Sequence, residues 1–293
     1  MKEDKVNETY LASTSHQPIV QHIESRHETY SPPDLPFKLN SGVLSGMVSC
    51  HPPIEESAEA SKFVRMKLPE GDWYGQDVKG QKKPDGFGYL LRPDNTLTVG
   101  KYVDGDLNGL VGVYFADGSY FYGNYVNGKI EGRGQFGDGT GGGYVGEWKD
   151  DLQWGKGEES KQGEFKFKGN FVAGEREGYG ELNTDAGESY QGYFQKGKYE
   201  GSGVFTWTDG KKYKGNWHCG VIDGEGVFTW PDGKTYEGGY KEEKKHGFGV
   251  LKWPNGIRYE GMWHDGKQHG KGKIVLATGE CIEKNWTNGI MDE

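Results

Sequence analysis

The chain of 293 residues has little of what secreted, membrane-spanning or nucleic-acid-binding proteins rely on. Its three cysteines, Cys50, Cys219 and Cys281, are an odd number with no C-x-x-C pair. Neither a disulfide framework nor a zinc site is therefore expected from cysteine spacing. No run approaches the ~20 apolar residues of a membrane-spanning helix. The N-terminus reads MKEDKVNETY, charged from its second residue and without an apolar signal core, which predicts a cytoplasmic protein. A basic excess is missing too: 35 lysines and arginines face 44 acidic residues, giving a net charge of −9. The longest basic cluster, Lys244-Lys245, directly follows Glu242-Glu243, so no nucleic-acid partner is expected. Bulk hydrophobicity is low as well, at 33%. A thick aliphatic core is therefore not the expectation.

What is abundant is glycine, 51 residues, together with aromatics at 14% of the chain. Disordered chains are poor in aromatics, so this composition points to a thin structure held by rings and glycine turns. The distribution is uneven. Only Gly42 and Gly46 fall in residues 1–68, whereas six of the eleven prolines do. Ser31-Pro32-Pro33-Asp34-Leu35-Pro36-Phe37 reads as extended, polyproline-like chain. Residues 1–68 are thus expected to be an irregular tail, or an arm that orders on a partner.

Residues 69–293 carry an internal repeat. An aromatic, any residue, glycine, any residue and a second aromatic recur at Phe121-Gly123-Tyr125, Tyr144-Gly146-Trp148, Phe167-Gly169-Phe171, Tyr190-Gly192-Phe194, Tyr213-Gly215-Trp217, Tyr236-Gly238-Tyr240 and Tyr259-Gly261-Trp263. Each start lies 23 residues after the last. Thr98-Gly100-Tyr102 is the preceding copy without its first aromatic. Trp73-Gly75 opens a degenerate unit, 73–97, and regular units span 98–281. Residues 282–293, with Ile282 and Trp286, form a half unit expected to close the array, with Asn288-Gly289 as its stop.

Counting the first aromatic as place one, further positions repeat. Glycine recurs at place eight in most units, and Asp151 replaces it in the unit that starts at Tyr144. A Gly-x-Gly pair follows at places twelve and fourteen, as in Gly224 and Gly226. Then comes an apolar run with large apolar side chains at places sixteen and eighteen, such as Phe205 and Trp207, Phe228 and Trp230, or Leu251 and Trp253. Runs end in Asp209-Gly210, Asp232-Gly233 or Asn255-Gly256.

Places one, three and five fall on one face of a strand, because side chains alternate with period two. Asp-Gly and Asn-Gly are expected to supply the positive φ of tight hairpin turns. A helix is excluded, since glycine every few residues costs ~1 kcal/mol each against alanine. The glycine inside each triplet is expected to let a neighbouring ring lie across the backbone. The fold class is therefore all-β: an elongated single-sheet array of antiparallel β-hairpins with a 23-residue period, preceded by the irregular tail. Two strands per unit at ~4.8 Å spacing add roughly 10 Å per repeat.

Tyr236-Glu237-Gly238-Gly239-Tyr240 followed by His246-Gly247-Phe248-Gly249 and Trp253-Pro254-Asn255-Gly256 resembles the MORN repeat, as does Tyr259-Glu260-Gly261-Met262-Trp263 with His269-Gly270-Lys271-Gly272. The resemblance implies a non-enzymatic scaffold working with other proteins of a cytoskeletal assembly. Ciliary or flagellar axonemes, with radial-spoke heads among them, are the leading expectation. It also implies two alternatives: a membrane-associated module reading anionic phospholipid, which the acidic balance disfavours, and a targeting subunit of an enzyme complex. Self-association through a terminal edge strand is a further expectation.

Apparent chemical motifs dissolve into the repeat. Gly141-Gly142-Gly143-Tyr144-Val145-Gly146 fits G-x-G-x-x-G but spans a repeat junction instead of a strand-to-helix turn. Asp104-Gly105-Asp106-Leu107-Asn108-Gly109 begins like a calcium loop, but Phe115 stands where the bidentate carboxylate is needed. His246 and His269 share place eleven and are expected roughly 10 Å apart, too far to share a metal. No cofactor, metal or catalytic residue is assigned. The candidate framework or groove comprises the place-five rings Tyr102, Tyr125, Trp148, Phe171, Phe194, Trp217, Tyr240, Trp263 and Trp286 with the place-eighteen Trp207, Trp230 and Trp253. Place eighteen holds Asp138, Lys161 and Thr184 in the units at 121–189. That irregularity makes Asp138, Gly139, Lys161 and Glu164 the candidate partner-contact region.

Overall fold

The computed structural model describes residues 63–76, 80 and 82–293. The proline-containing arm read from sequence lies outside the described residues up to position 62. Strands run in sequence order through an open antiparallel sheet of 21 strands. The described residues fall into two compact units.

One unit holds residues 63–163 and 172–174. Its strands are β1 (Phe63–Leu68), β2 (Gly71–Gln76), β3 (Gly86–Leu91), β4 (Leu97–Val103), β5 (Asp106–Tyr114), β6 (Tyr120–Val126), β7 (Lys129–Gly137), β8 (Gly143–Lys149) and β9 (Leu152–Lys161). Residues 63–68, grouped with the N-terminal tail on composition, form β1 and pair with β2 from Leu68↔Gly71 to Phe63↔Gln76. β1 carries neither glycine nor the repeated triplet, so periodicity could not find it. The degenerate unit keeps the geometry of the others. Trp73 is fully buried and stands edge-on to Tyr102, 4.7 Å between centroids.

The other unit holds residues 164–171 and 175–293. Its strands are β10 (Phe165–Val172, the last residue excepted), β11 (Glu175–Thr184), β12 (Ser189–Gln195), β13 (Lys198–Thr206), β14 (Lys212–His218), β15 (Val221–Thr229), β16 (Thr235–Lys241), β17 (Lys244–Lys252), β18 (Arg258–His264), β19 (Lys267–Val275), β20 (Cys281–Thr287) and β21 (Ile290–Met291). Asn288-Gly289 does not stop the chain. Both residues take positive φ, and β21 turns back to pair Met291 with Trp286.

The hairpin β14–β15 shows how one unit is built. Gly215 pairs with Gly226, whereas Trp217 pairs with Ile222, so the ladder bulges on the β15 side. Gly224, at place twelve, absorbs the bulge with φ +102°. The glycines of places three and fourteen meet across every joint of this region: Gly203↔Gly215, Gly215↔Gly226, Gly226↔Gly238, Gly238↔Gly249. Over this row lie the place-one rings. A β-carbon on Gly215 would sit 2.3 Å from the Tyr213 hydroxyl oxygen, and one on Gly226 2.4 Å from it. The ring that needs the glycine therefore belongs to its own triplet.

Two turn types alternate. At places seven and eight both residues take positive φ, as in Cys219 (51°) and Gly220 (93°), which is the two-residue type I′ turn that matches strand twist. At the Asp-Gly pairs of places twenty and twenty-one, such as Asp209-Gly210, only glycine does so. The Gly210 N–H donates to the Trp207 carbonyl at 2.9 Å, and Gly210 takes φ +82°. Asp209 instead accepts from the Lys211 N–H, at 3.0 Å. The aspartate of this second turn thus organises it through its carboxylate and does not adopt positive φ, whereas Asp104-Gly105 and Asp265-Gly266, at places seven and eight, do take positive φ at both residues.

Candidate functional site

Within each compact unit the rings at places one and five form an edge-to-face series. Tyr213 stands at 83° to Trp217 in its own unit and at 82° to Tyr240 in the next, with centroids 5.4 and 5.5 Å apart. Tyr236 repeats this with Tyr240 and Trp263, and Tyr259 with Trp263 and Trp286. Phe167 joins Phe171 and Phe194 in the same way. In the other unit Phe121 meets Tyr125 and Trp148. Edge-to-face pairs add ~0.5–1.5 kcal/mol each beyond the area they bury. Tyr102, Tyr125, Trp148, Phe171, Phe194, Trp217, Tyr240, Trp263, Trp286 and Trp230 are all buried, while Trp207 and Trp253 are half-buried. The place-five rings thus pack against the place-one rings, and Trp207 and Trp230 against Phe205 and Phe228, which makes them framework.

The place-one tyrosine hydroxyls and the place-eleven carboxylates of the repeat are also engaged. Each place-one tyrosine hydroxyl donates to the place-four carbonyl of the bulge: Tyr144 to Glu147, Tyr190 to Tyr193, Tyr213 to Asn216, Tyr236 to Gly239 and Tyr259 to Met262, at 3.0–3.1 Å. Burial pushes these hydroxyls up, Tyr259 to about 12. The place-eleven carboxylates accept the place-seven N–H of the following turn. Glu131 takes that of Asp150, Glu177 that of Lys196, Glu200 that of Cys219 and Asp223 that of Glu242. The place-eight N–H reaches back to the place-ten carbonyl, as from Gly220 to Tyr199 and from Glu243 to Ile222, at 2.9 Å. Hairpin is thus joined to hairpin by turn hydrogen bonds as well as by the ladder.

On the opposite, outer face sit places two, four, thirteen and fifteen. Here large apolar side chains are exposed. Tyr179 (place thirteen) pairs with Tyr193 (place four), rings 5.6 Å apart, and Phe248 pairs with Met262 in the same two places. Phe248 is 60% exposed and Tyr193 50%. Near the C-terminus this face carries an open depression of about 620 Å³ lined by Phe248, Glu260, Lys271, Lys273, Glu283 and Asn285. Glu260 is held by Arg258 and Lys273, which keep its carboxyl below the usual range. In the N-terminal unit the outer face is partly closed by its own cluster, Leu97, Val99 and Tyr114.

The irregular candidates occupy loops. The Asp138 carboxylate accepts from the Thr140 N–H, the Thr140 hydroxyl and the Gly142 N–H, so it shapes its own loop. A β-carbon on Gly139 would lie 2.9 Å from the Gly118 carbonyl carbon, which fixes the close approach of two neighbouring turns. Gly141 of the same loop faces the Gln162 amide. Lys161 ends β9 and is exposed. The Glu164 carbonyl accepts from the Asp185 N–H at 2.9 Å.

His264 stands between His246 and His269, with ring centroids 5.3 and 5.7 Å away. No described helix is long and apolar enough to cross a membrane.

The family model described as "MORN repeat" matches residues 121–142, 144–166, 167–183, 190–212, 213–235, 236–258 and 259–281, more than half of the chain. No curated protein matches. Among solved structures, the wild-type TCP10 domain of Danio rerio CPAP is 14% identical, with a TM-score of 0.38, over 70% of this chain and 97% of that one. The SAS-4 (dCPAP) TCP domain of Drosophila melanogaster, solved with a proline-rich motif of Ana2, is 8% identical, with a TM-score of 0.33, over 72% and 94%.

Proposed function

Because the chain belongs to the MORN repeat family, we propose that it is a non-catalytic scaffold that binds other proteins through the outer face of its sheet. One observation carries this reading. The recurring tyrosines, glycines and carboxylates are consumed by the framework: hydroxyls on bulge carbonyls, glycines under rings, carboxylates on turns. What varies from unit to unit is the outer face, where Tyr179, Tyr193, Phe248 and Met262 are exposed. Exposed aromatic and methionine side chains on a rigid sheet suit protein recognition. The Asp138–Gly142 loop and Lys161 add contacts particular to this chain.

The finer reading is a cytoskeletal assembly, with the ciliary or flagellar axoneme first, and it rests on the roles that the family resemblance implies. The net charge of −9 disfavours an anionic membrane surface as the main target. Co-sedimentation with phosphoinositide-containing vesicles at physiological salt, set beside binding to isolated axonemal fractions, tests it. Axonemal binding without vesicle binding is expected. The reverse result would replace the scaffold reading with the membrane one.

A further inference from the structure

Four units carry a carboxylate at place eleven, and Glu131, Glu177 and Asp223 each cap the next turn. The fourth, Glu200, has a second, side-chain partner. Glu200 accepts the Cys219 N–H at its Oε2, 2.9 Å away, while its Oε1 lies 3.1 Å from His218 Nδ1. The other ring nitrogen, Nε2, lies 3.7 Å from Cys219 Sγ. The ligand atoms of all three residues lie within 4.8 Å of one another.

We propose that His218 Nε2 and Cys219 Sγ, oriented by Glu200, bind a thiophilic divalent cation of the zinc type.

Three observations support this. The first is distance. Zinc sits about 2.0–2.1 Å from a histidine nitrogen and about 2.3 Å from a thiolate, which at a tetrahedral angle places the two ligands roughly 3.6 Å apart. The observed separation is 3.7 Å. The second is orientation. A carboxylate on Nδ1 holds the proton there and turns the Nε2 lone pair toward the metal, the usual outer partner of a metal-bound histidine. Both Glu200 oxygens are already engaged, so its role is to orient. The third is rigidity. Cys219 and Gly220 form a type I′ turn pinned by the Gly220 N–H on the Tyr199 carbonyl at 2.9 Å, and His218 pairs with Val221 below it.

Other turns of the chain act as internal controls. His264-Asp265 occupies the same two places, but Asp265 offers an oxygen, which lies on the Nδ1 side at 3.6 Å. The remaining turns carry no histidine–cysteine pair at these places. His218 and Cys219 are exposed. Two coordination positions therefore face outward, available to water or to a donor from a bound protein. Binding displaces the thiol proton to solvent, so affinity rises with pH.

The test is a Co²⁺ titration of the full chain, without oxygen and with a non-thiol reductant. A sulfur-to-cobalt charge-transfer band saturating at one equivalent, and bleached by Zn²⁺, is expected. It should vanish in Cys219→Ser and persist in Cys50→Ser and Cys281→Ser. His218→Gln and Glu200→Gln should each weaken binding by about 10-fold or more. Cys219→Asn is the second variant, since asparagine holds the same turn place at Asn127 and Asn288 and keeps the fold. No band, a band that survives both Cys219 variants, or cobalt binding without a thiolate band would overturn the proposal.

Discussion

The Tyr213 hydroxyl donates to the carbonyl of Asn216, three residues along its own strand, at 3.1 Å. The bulge between Gly215 and Trp217 takes that carbonyl out of the ladder, and the ring reaches it only because Gly215 and Gly226 have no side chains. Removing the hydroxyl in Tyr213→Phe should cost about 1 kcal/mol, the usual net value of such a bond. Phe121 and Phe167 hold the same place without a hydroxyl. Phe167→Tyr should therefore gain a similar amount. Urea unfolding of both variants checks the pair. Equal small losses in both would show that the hydroxyl plays no such role.

Thr98 and Val111 exchange volume. Thr98 replaces the place-one ring, and Val111 replaces the place-fourteen glycine, its Cγ2 lying where a ring would cross Gly100. Thr98→Phe alone should overpack the joint and cost about 1–3 kcal/mol. Adding Val111→Gly should recover most of that loss, with a coupling of at least ~0.5 kcal/mol in a double-mutant cycle. Additive losses would contradict the exchange.

Glu243 and Asp151 both stand at place eight with φ +66°, where other units have glycine. Asp151 also uses its carboxylate, which accepts the Ile130 N–H at 2.8 Å. In Asp151→Gly the relief of a left-handed conformation, up to ~1 kcal/mol, should be cancelled by the loss of that bond. A thermal melt should show stability within ~0.5 kcal/mol of wild type, and a clear stabilisation would contradict the compensation.

Alkaline pH should unfold the chain through its buried tyrosines. Burial raises the hydroxyls of Tyr199 and Tyr259 to about 12, and those of Tyr213, Tyr236 and Tyr240 further. An unfolded tyrosine titrates near ~10. The folded state favours the neutral hydroxyl, so this stability is complete below pH ~10 and is lost as pH rises through ~12. Tyrosinate absorbance should rise in one step with the loss of near-ultraviolet ellipticity. A gradual titration centred near ~10 with ellipticity retained would contradict it.

The period, the strands and the glycine row were legible because each repeats at fixed spacing in the chain. The joints between units were less so. That Glu177, Glu200 and Asp223 cap turns depends on N–H groups 19 residues ahead, a relation that no local motif carries. Some type I′ turns fall on Ala173, Lys196, Cys219 and Glu242, which carry no Asp or Asn signal, whereas Asp104-Gly105, Asn127-Gly128, Asp265-Gly266 and Asn288-Gly289 announce the same turn and Asp209-Gly210 and Asp232-Gly233 make a different one. The large rings drew attention as a groove, yet edge-to-face packing buries them. The most exposed aromatics, Tyr179, Tyr193 and Phe248, sit at places four and thirteen, where few units have any, so periodicity passed over them. His218 and Cys219 approach Glu200 only after the turn folds.

The outer-face account is tested most directly by proximity labelling of the full chain in cells, wild type against Tyr179→Ser/Tyr193→Ser and Phe248→Ser/Met262→Ser. Thermal melts should show stability within ~0.5 kcal/mol of wild type, since these side chains are exposed. The account predicts that a defined set of cytoskeletal neighbours is labelled by the wild type and lost from one or both double variants. An unchanged set of neighbours in both stably folded variants would contradict it.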